Sequence, residues 1–489
     1  MSSSAPGAHK IMSSSAPGAH ILVFPHPAQG HLIPILDFTY HLSTRGLSIT
    51  VLVTPKNLPL IQPLLSRSPT SIQPLILPFP THPSIPPGVE NAKDLPPTSS
   101  TADIVRALSF LQEPIIQWFD SHPNPPVAIV SDFFLGWTEG LARRLSVPRI
   151  VFYSSGTFLV SVLNHLWPSL VRPTDELVGF DDLPNKPSFE YPHLPSVYRR
   201  CVELGSPGSD WEFMREGMIA NTTSWGAAYN TFEAMEGAYL EHVREKGGHV
   251  RTWAVGPVFA GGVGSAGRGG SGTVADGDVI SWLDECPDGS VVYVCFGSEV
   301  LLTRVQMAGL AAALEKCGAR FVWVVKVAPP GHAAEEYGVV PDGFEERTAG
   351  RGLVIRGWAP QAAILGHPAV AAFLTHCGWN SVLEGLAAGV TLLAWPMGAD
   401  QFVNARLLVE DTGVAVRVCE GLGTVPDSAE LAMAVAESLS GSRPERVRAM
   451  EMKKVALDAV KEGGSSYSDL DGLVKELSAL AIKKNGVKE

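Results

Sequence analysis

The chain alternates short, unbroken apolar runs with longer segments whose apolar residues recur at helical spacing. Near its start, "ILVFP" is followed by "PILDFTYHLSTRG" and then by "SITVLVT". Short runs rich in β-branched residues are strands buried on both faces, and the stretch between them is a helix, so the order is βαβ and the sheet is parallel. The same order returns in "PVAIVSDFF", the helical "TEGLARRL" and "SVPRIVFY". In a sheet of this kind each strand hands on to a loop at its carboxyl edge, where open α/β sheets take ligands.

The rhythm breaks once. Residues 261–278, "GGVGSAGRGGSGTVADGD", are glycine-rich and aperiodic, the composition of a flexible linker. Beyond them "SWLDECPDGSVVYVCFGS" restarts the pattern with a helix, a turn and a buried strand. The prediction is an α/β chain of two Rossmann-like parallel-sheet domains, residues 21–260 and 279–465, joined by that linker. The amphipathic "SDLDGLVKELSALAIKK", within residues 466–489, is a last helix able to dock on either domain, including back on the first. At the other end "MSSSAPGAH" stands at Met1 and again at Met12, so residues 1–20 read as a duplicated leader, disordered and outside the fold.

Composition sharpens this picture. A chain of 489 residues is too long for one ordinary core, which agrees with two domains. Its 49 acidic against 37 basic residues, a net charge of -12, repel polyanions and exclude nucleic acid as a partner of the whole chain. The six cysteines lack C-x-x-C spacing, which fits a reduced, cytoplasmic setting with cysteines used as small apolar groups; a monomer is expected. In that setting the sequon "NTT" at Asn221 carries no meaning. Residues 150–171, "IVFYSSGTFLVSVLNHLWPSLV", have no formal charge, but Ser-Ser-Gly, Asn, His and Pro make them strand, loop and helix, so no membrane insertion is expected.

Two motifs mislead. "GVGSAG", Gly262–Gly267, fits G-x-G-x-x-G, yet the following "RGGSGT" cannot supply the helix that a dinucleotide fingerprint needs. "DGD" at Asp276–Asp278 resembles an acidic metal pair but lies in the linker, where solvated charge is the plainer reading.

The chemistry concentrates in "WAPQAAILGHPAVAAFLTHCGWNSVLEGLAAGVTLLAWPMGADQ", Trp358 to Gln401. "AAFLTHCG" reads as a strand and a sharp turn, and "NSVLEGLAAG" as a helix with Asn380 and Ser381 in its first turn. A helix N-terminus presents unpaired N–H groups and partial positive charge, so a phosphate fits there, and His376, Asn380 and Ser381 add donors. Glu384, one turn along the same face from Asn380, is placed where it could accept hydrogen bonds from ribose hydroxyls. Taken singly, Ser381 is an N-cap, Glu384 a helix-start acid and His376 a core histidine; the combination with Trp358 and the terminal Asp-Gln is what argues for a ligand.

This segment resembles the donor-binding box of the plant family-1 UDP-dependent glycosyltransferases, and the similarity runs from "VFPHPAQGHLIP" through "GRGLVIRGWAPQ" over essentially the full chain. The resemblance implies a GT-B fold, two Rossmann-like domains facing each other across a cleft. It also implies roles. Trp358 stacks on uracil, Ala359 and Gln361 meet base and ribose, and Glu384 holds the ribose hydroxyls. His376, Asn380 and Ser381, with Ser298 of "CFGS", hold the diphosphate, while Trp379, Asp400 and Gln401 address the sugar. An aromatic face suits a flat base, at about 1–3 kcal/mol, and carboxylate and amide groups suit sugar hydroxyls.

In the first half, "PAQGHLIP" puts His31 in a glycine-preceded loop just before a helix. The resemblance makes His31 the catalytic base and Asp132 of "VSDFF" its partner; on residues alone, a loop histidine and a helix-capping aspartate read equally well. An acceptor hydroxyl must lose its proton as it attacks, and a neutral imidazole backed by a carboxylate can take it. His26 in "PHP" is the competing base, but the family usually has an aromatic there, so His26 is placed in the acceptor pocket with Phe133 and Trp137 of "DFFLGW". Ser154, at a strand end, is taken as a donor contact.

The expected reaction is inverting, metal-independent transfer of glucose from UDP-glucose, with no cofactor, to a small hydrophobic hydroxylated acceptor: a flavonoid, benzoate or other phenolic. Gln401 and Trp379 go with glucose in the family, whereas histidine at the end of the box often goes with galactose. Galactose or rhamnose donors and terpenoid acceptors are the alternatives. A nicotinamide oxidoreductase would need a glycine fingerprint after the first strand, which "PHPAQGHL" lacks. A non-catalytic UDP-sugar binder would have no use for both His31 and Asp132.

Overall fold

The first apolar run folds as β1 (His20–Phe24), buried along its whole length, in a computed structural model that describes residues 18–170, 177–259, 276–327 and 336–486. In chain order there follow β2 (Ser48–Val53), β3 (Ile72–Ile76), β4 (Ala128–Asp132), β5 (Arg149–Tyr153), an antiparallel hairpin of β6 (Leu177–Gly179) and β7 (Ser188–Glu190), β8 (Gly226–Tyr229) and β9 (Thr252–Ala254). The second half contributes β10 (Val291–Cys295), β11 (Arg320–Val325), β12 (Gly352–Arg356), β13 (Val370–Thr375), β14 (Thr391–Ala394) and β15 (Ala415–Arg417). Among the described residues these make a seven-stranded sheet ordered β3-β2-β1-β4-β5-β8-β9 and a six-stranded sheet ordered β12-β11-β10-β13-β14-β15, both parallel. Every residue of β1, β4, β5, β10, β13 and β14 is buried. Strands buried on both faces need helices on both sides, which calls for parallel crossovers and gives two Rossmann-like domains, the pair that the resemblance implied as GT-B.

Each sheet reverses its strand order once, between β1 and β4 and between β10 and β13. The loops leaving adjacent strands there diverge and open a crevice at the carboxyl edge. Registers Phe24↔Ser131 and Cys295↔Thr375 bring the ends of those strands side by side. The residues just after Phe24, Asp132, Cys295 and Thr375 therefore line the two crevices.

Helices α1 (Gln29–Thr44), α2 (Thr157–Leu166), α3 (Asp210–Asn221), α4 (Trp379–Ala388), α5 (Pro444–Ala459) and α6 (Ser465–Gly486) are among those that cover the sheets and flank the crevices. The uncharged run at 150–171 divides into β5 and α2 around Ser154–Gly156, and no helix among the described residues is long and apolar enough to cross a membrane. One apolar cluster spans the domains, joining Phe158 and Tyr239 to Trp379 and Val403. After α5 the chain returns to the first domain: Leu470, Leu473 and Leu477 of α6 enter its core, and the Asp469 carboxylate accepts the N–H of Ala254 at 2.7 Å. That bond satisfies a backbone donor of edge strand β9. Ion pairs Arg45–Asp471 at 2.7 Å and Arg251–Glu476 at 2.8 Å flank it.

Residues 1–17 of the leader and 260–275, with Gly262–Gly267, lie outside the described residues. Asp276–Asp278, expected as linker charge, instead begin the helix Asp276–Asp284, whose N-terminus favours acidic residues. Asn221 of the sequon closes α3 at 1% exposure, sealed from any modifying enzyme.

Candidate active site

In the first crevice β1 runs into α1, and His31 is the third residue of that helix rather than a residue of the loop before it. From there its Nδ1 lies 2.9 and 3.1 Å from the two carboxylate oxygens of Asp132, the last residue of β4. Asp132 is fully buried and its Oδ1 also accepts the N–H of Phe134 at 2.8 Å, so the carboxylate is aimed by the backbone. A carboxylate on Nδ1 holds the proton there and leaves Nε2 as the acceptor. Burial works against the imidazolium of His31, but the charge and hydrogen bond of Asp132, helped by Glu299 and Asp400 from the second domain, outweigh it and raise its pKa above 6.5. Ser154, expected as a donor contact, is 4% exposed with its Oγ 3.4 Å from His31 Nδ1, so it belongs beside this pair.

Aromatic rings enclose the imidazole. It stacks on Phe133 at 5.2 Å and leans on Phe134 at 4.3 Å, because β4 stops at Asp132 and a tight turn, Phe133–Leu135, sends one phenyl inward and leaves the other half-buried. His26, placed in the acceptor pocket by the sequence, has no exposed surface; it lies edge-on to His31 at 5.1 Å. Neither of its ring nitrogens has a hydrogen-bond partner among the described residues, and burial, reinforced by His31, drives its pKa down to about 3. Trp137 is also interior, 8% exposed and edge-on to Phe24 at 5.7 Å. The half-exposed aromatic beside His31 is Phe134, which the sequence pattern did not single out.

In the second crevice β13 ends at Thr375, Cys377 takes a left-handed φ of 65°, and Gly378 is the N-cap of α4. The open N–H groups of the first turn thus fall at Trp379, Asn380 and Ser381, so Ser381 sits inside the helix rather than capping it. His376 is wedged between glycines: a Cβ at Gly297, where φ is +75°, would come within 2.6 Å of its Nε2, and one at Gly378 within 2.5 Å. Its Nδ1 has no partner among the described residues, and burial lowers its pKa to about 4, so the ring is neutral. Ser298, after β10, is half-buried in the same crevice.

Trp358, half-buried, and Ala359, 7% exposed, follow β12. Gln361 then ties the box together, its Nε2 donating to Ser381 Oγ at 3.0 Å and to Glu384 Oε2 at 2.8 Å. Gln401 Oε1 accepts the N–H groups of Met397 and Gly398 at 2.9 and 3.0 Å, fixing the loop before it. Asp400 is held at 2.9 Å by Asn404 Nδ2, and burial raises its pKa.

Two box residues reach across to the other domain. The indole N–H of Trp379, expected to address the sugar, is donated to the Asn230 carbonyl at 2.7 Å, with the ring packed against Gly156. Asn380 Nδ2, expected on the diphosphate, donates to the Gly30 carbonyl at 3.0 Å, one residue before His31. The N-terminus of α4 is thereby latched to the N-terminus of α1. The pattern of a single segment cannot foresee partners 149 and 350 residues away.

A family model for UDP-glucoronosyl and UDP-glucosyl transferases matches residues 278–452, the span that contains the second crevice. Over 95% of this chain, and 97% of the relative, the sequence is 51% identical to a flavonol 3-O-glucosyltransferase of Arabidopsis thaliana. The chain is a plant family-1 UDP-glycosyltransferase. A flavonol 7-O-rhamnosyltransferase of the same plant is 41% identical to the enzyme over 93% of this chain and 97% of its own. Among solved structures, Arabidopsis thaliana UGT89C1 complexed with UDP-L-rhamnose superposes with a TM-score of 0.79 at 40% identity, covering 95% of this glycosyltransferase and 100% of that chain. The same protein has been solved with quercetin, with a TM-score of 0.77 over 94% and 100% of the two chains.

Proposed function

We propose that the enzyme transfers glucose from UDP-glucose to a hydroxyl of a flavonol-type phenolic, with inversion at the anomeric carbon. Residues 21–260 bind the acceptor and 279–465 the donor. The observation that carries this reading is the His31–Asp132 pair at 2.9 Å, latched through Gly30 and Asn380 to the helix end that suits a diphosphate. Asp132 keeps the proton of His31 on Nδ1, so Nε2 removes the acceptor's proton as its oxygen attacks, and the carboxylate stabilises the imidazolium that forms. The departing UDP takes the electron pair of the broken glycosidic bond. Its growing charge is met by Ser298, the N–H groups of α4 and His376, a neutral donor rather than a cation. Trp358 stacks on uracil, Glu384 and Gln361 take base and ribose, and Asp400 and Gln401 take the sugar hydroxyls.

Glucose is favoured by the relative at 51% identity, named a glucosyltransferase, and by Gln401 at the end of the box. Rhamnose is the second reading, because the flavonol 7-O-rhamnosyltransferase is 41% identical. A flavonol acceptor is favoured by both names and by the aromatic setting of His31. Competition among UDP-glucose, UDP-rhamnose and UDP-galactose with a flavonol, read by mass spectrometry and by the anomeric proton coupling, tests the proposal. It predicts a β-glucoside as the main product, formed at an undiminished rate in excess EDTA. A rhamnoside as main product overturns the sugar, and retained anomeric configuration overturns the mechanism.

A further inference from the structure

Arg149 opens β5 at 1% exposure and reaches the backbone carbonyl of Asp132, the residue whose carboxylate meets His31. Its guanidinium donates four hydrogen bonds. Nε donates to Ser131 Oγ at 2.8 Å, Nη1 to Asn221 Oδ1 at 2.9 Å and to Ser224 Oγ at 2.8 Å, and Nη2 to the Asp132 carbonyl at 3.4 Å. All four partners are neutral oxygens, and among the described residues it forms no ion pair within 4.0 Å. Burying a cation is costly even with the charges of Glu139 and Asp132 nearby, and a well-packed apolar residue would serve the core better. Burial does pull its pKa down, to about 10, yet the group remains charged at neutral pH.

The partners show what the cost supports. Arg149 holds the side chain of Ser131 and the carbonyl of Asp132 directly; Asn221, fixed by Arg149 through Oδ1, donates its Nδ2 to the Phe133 carbonyl at 2.8 Å. Three consecutive residues, 131 to 133, are thus pinned by one planar fork and its amide relay. The same helix α3 that carries Asn221 also packs closely just beyond the turn, since a Cβ at Gly136 would lie 1.8 Å from the Gly217 carbonyl. The pinned turn carries the carboxylate that aims His31 and the two phenyl rings that enclose it. A planar group with donors in fixed directions sets such a turn where a lysine would not.

We propose that Arg149 is a positioning residue for sugar transfer: through Ser131, Asp132 and Asn221 it sets the turn that aligns His31, and so governs the chemical step without touching donor binding. This rests on His31 being the base. The test measures kcat and the KM for UDP-glucose, with thermal unfolding, in Arg149→Gln, Asn221→Ala, His31→Ala and the double variant His31→Ala/Asn221→Ala. A displacement on the order of an ångström costs about 100-fold in rate, so Arg149→Gln is expected to lower kcat about 10- to 100-fold with the KM for UDP-glucose within about twofold.

Asn221→Ala, which keeps the buried cation but frees the Phe133 carbonyl, is expected to lower kcat about 3- to 10-fold, and to add nothing in the His31→Ala background, since residues that act as a unit are non-additive. A folded Arg149→Gln enzyme with wild-type kcat overturns the proposal, as does a parallel rise in the KM for UDP-glucose. If Arg149→Gln does not fold, Asn221→Ala decides alone, and unchanged kcat overturns it. Full activity in His31→Ala would instead overturn the base assignment, a result separable from the others.

Discussion

The two crevices are built alike and filled in opposite ways. Each lies where a parallel sheet reverses its strand order, and each holds a histidine just beyond a central strand, His31 after β1 and His376 after β13. His31 faces a buried carboxylate within a cage of phenyl rings, and its pKa rises. His376 sits between two glycines with no carboxylate against it among the described residues, and burial lowers its pKa to about 4. On the proposed reading, one imidazole collects a proton, and the other donates a hydrogen bond without first carrying charge. A shared topology supplies the position of a side chain, and its immediate neighbours decide which chemistry it performs.

The largest effect should come from breaking the first crevice. Asp132→Asn removes the charge that orients and stabilises the imidazolium, and kcat is expected to fall about 10²–10⁴-fold. In the wild type the base works neutral, so kcat should decline as pH falls through a His31 pKa raised above 6.5; in Asp132→Asn that limb should move to lower pH. A kcat–pH profile of both enzymes checks the amplitude and the sign together.

On the opposite side of the cleft, Trp358→Ala should weaken UDP binding by about 1–3 kcal/mol, the value of one base–aromatic stack, with kcat at saturating donor little changed. Calorimetric titration with UDP measures it. Gly378→Ala probes the same crevice more gently. Its φ of -62° is ordinary, so the substitution acts only by pushing a methyl group into the His376 ring. A rise of about 10-fold in the KM for UDP-glucose is expected from that displacement.

The smallest change concerns stability. His26 is neutral and buried, with a folded pKa of about 3 against 6.5 unfolded, so the unfolded chain takes up the proton first as pH falls. Its contribution is present above 6.5 and is lost progressively toward 3. His26→Phe removes this drain and two unsatisfied nitrogens, and should narrow the gap in unfolding free energy between pH 7 and pH 5 by roughly 1–2 kcal/mol. Denaturant melts at the two pH values test it.

The crevices also differ in how far they could be read in the sequence. The donor side lies in one segment, Trp358 to Gln401, so its strand, turn and helix were legible as a unit, and resemblance supplied the roles. The acceptor side is assembled from residues far apart, His26, His31, Asp132, Arg149 and Asn221, which only the fold brings together. There local pattern misled. "PVAIVSDFF" reads as one strand, but the strand stops at Asp132 and the turn Phe133–Leu135 buries Phe133 while leaving Phe134 half-buried. Nothing near Arg149 in "SVPRIVFY" reveals the four oxygens that the fold gathers around it. Trp379 and Asn380 were legible as box residues, yet their bonds to Asn230 and Gly30 depend on how the domains meet.

The division of labour between the crevices is the central claim, and one variant tests it most directly: UDP affinity and single-turnover transfer to a flavonol, measured side by side for wild type and His31→Ala. Transfer should fall about 10²–10⁴-fold while the dissociation constant for UDP stays within about twofold. Transfer persisting at the wild-type rate, or UDP affinity collapsing along with it, would contradict the account.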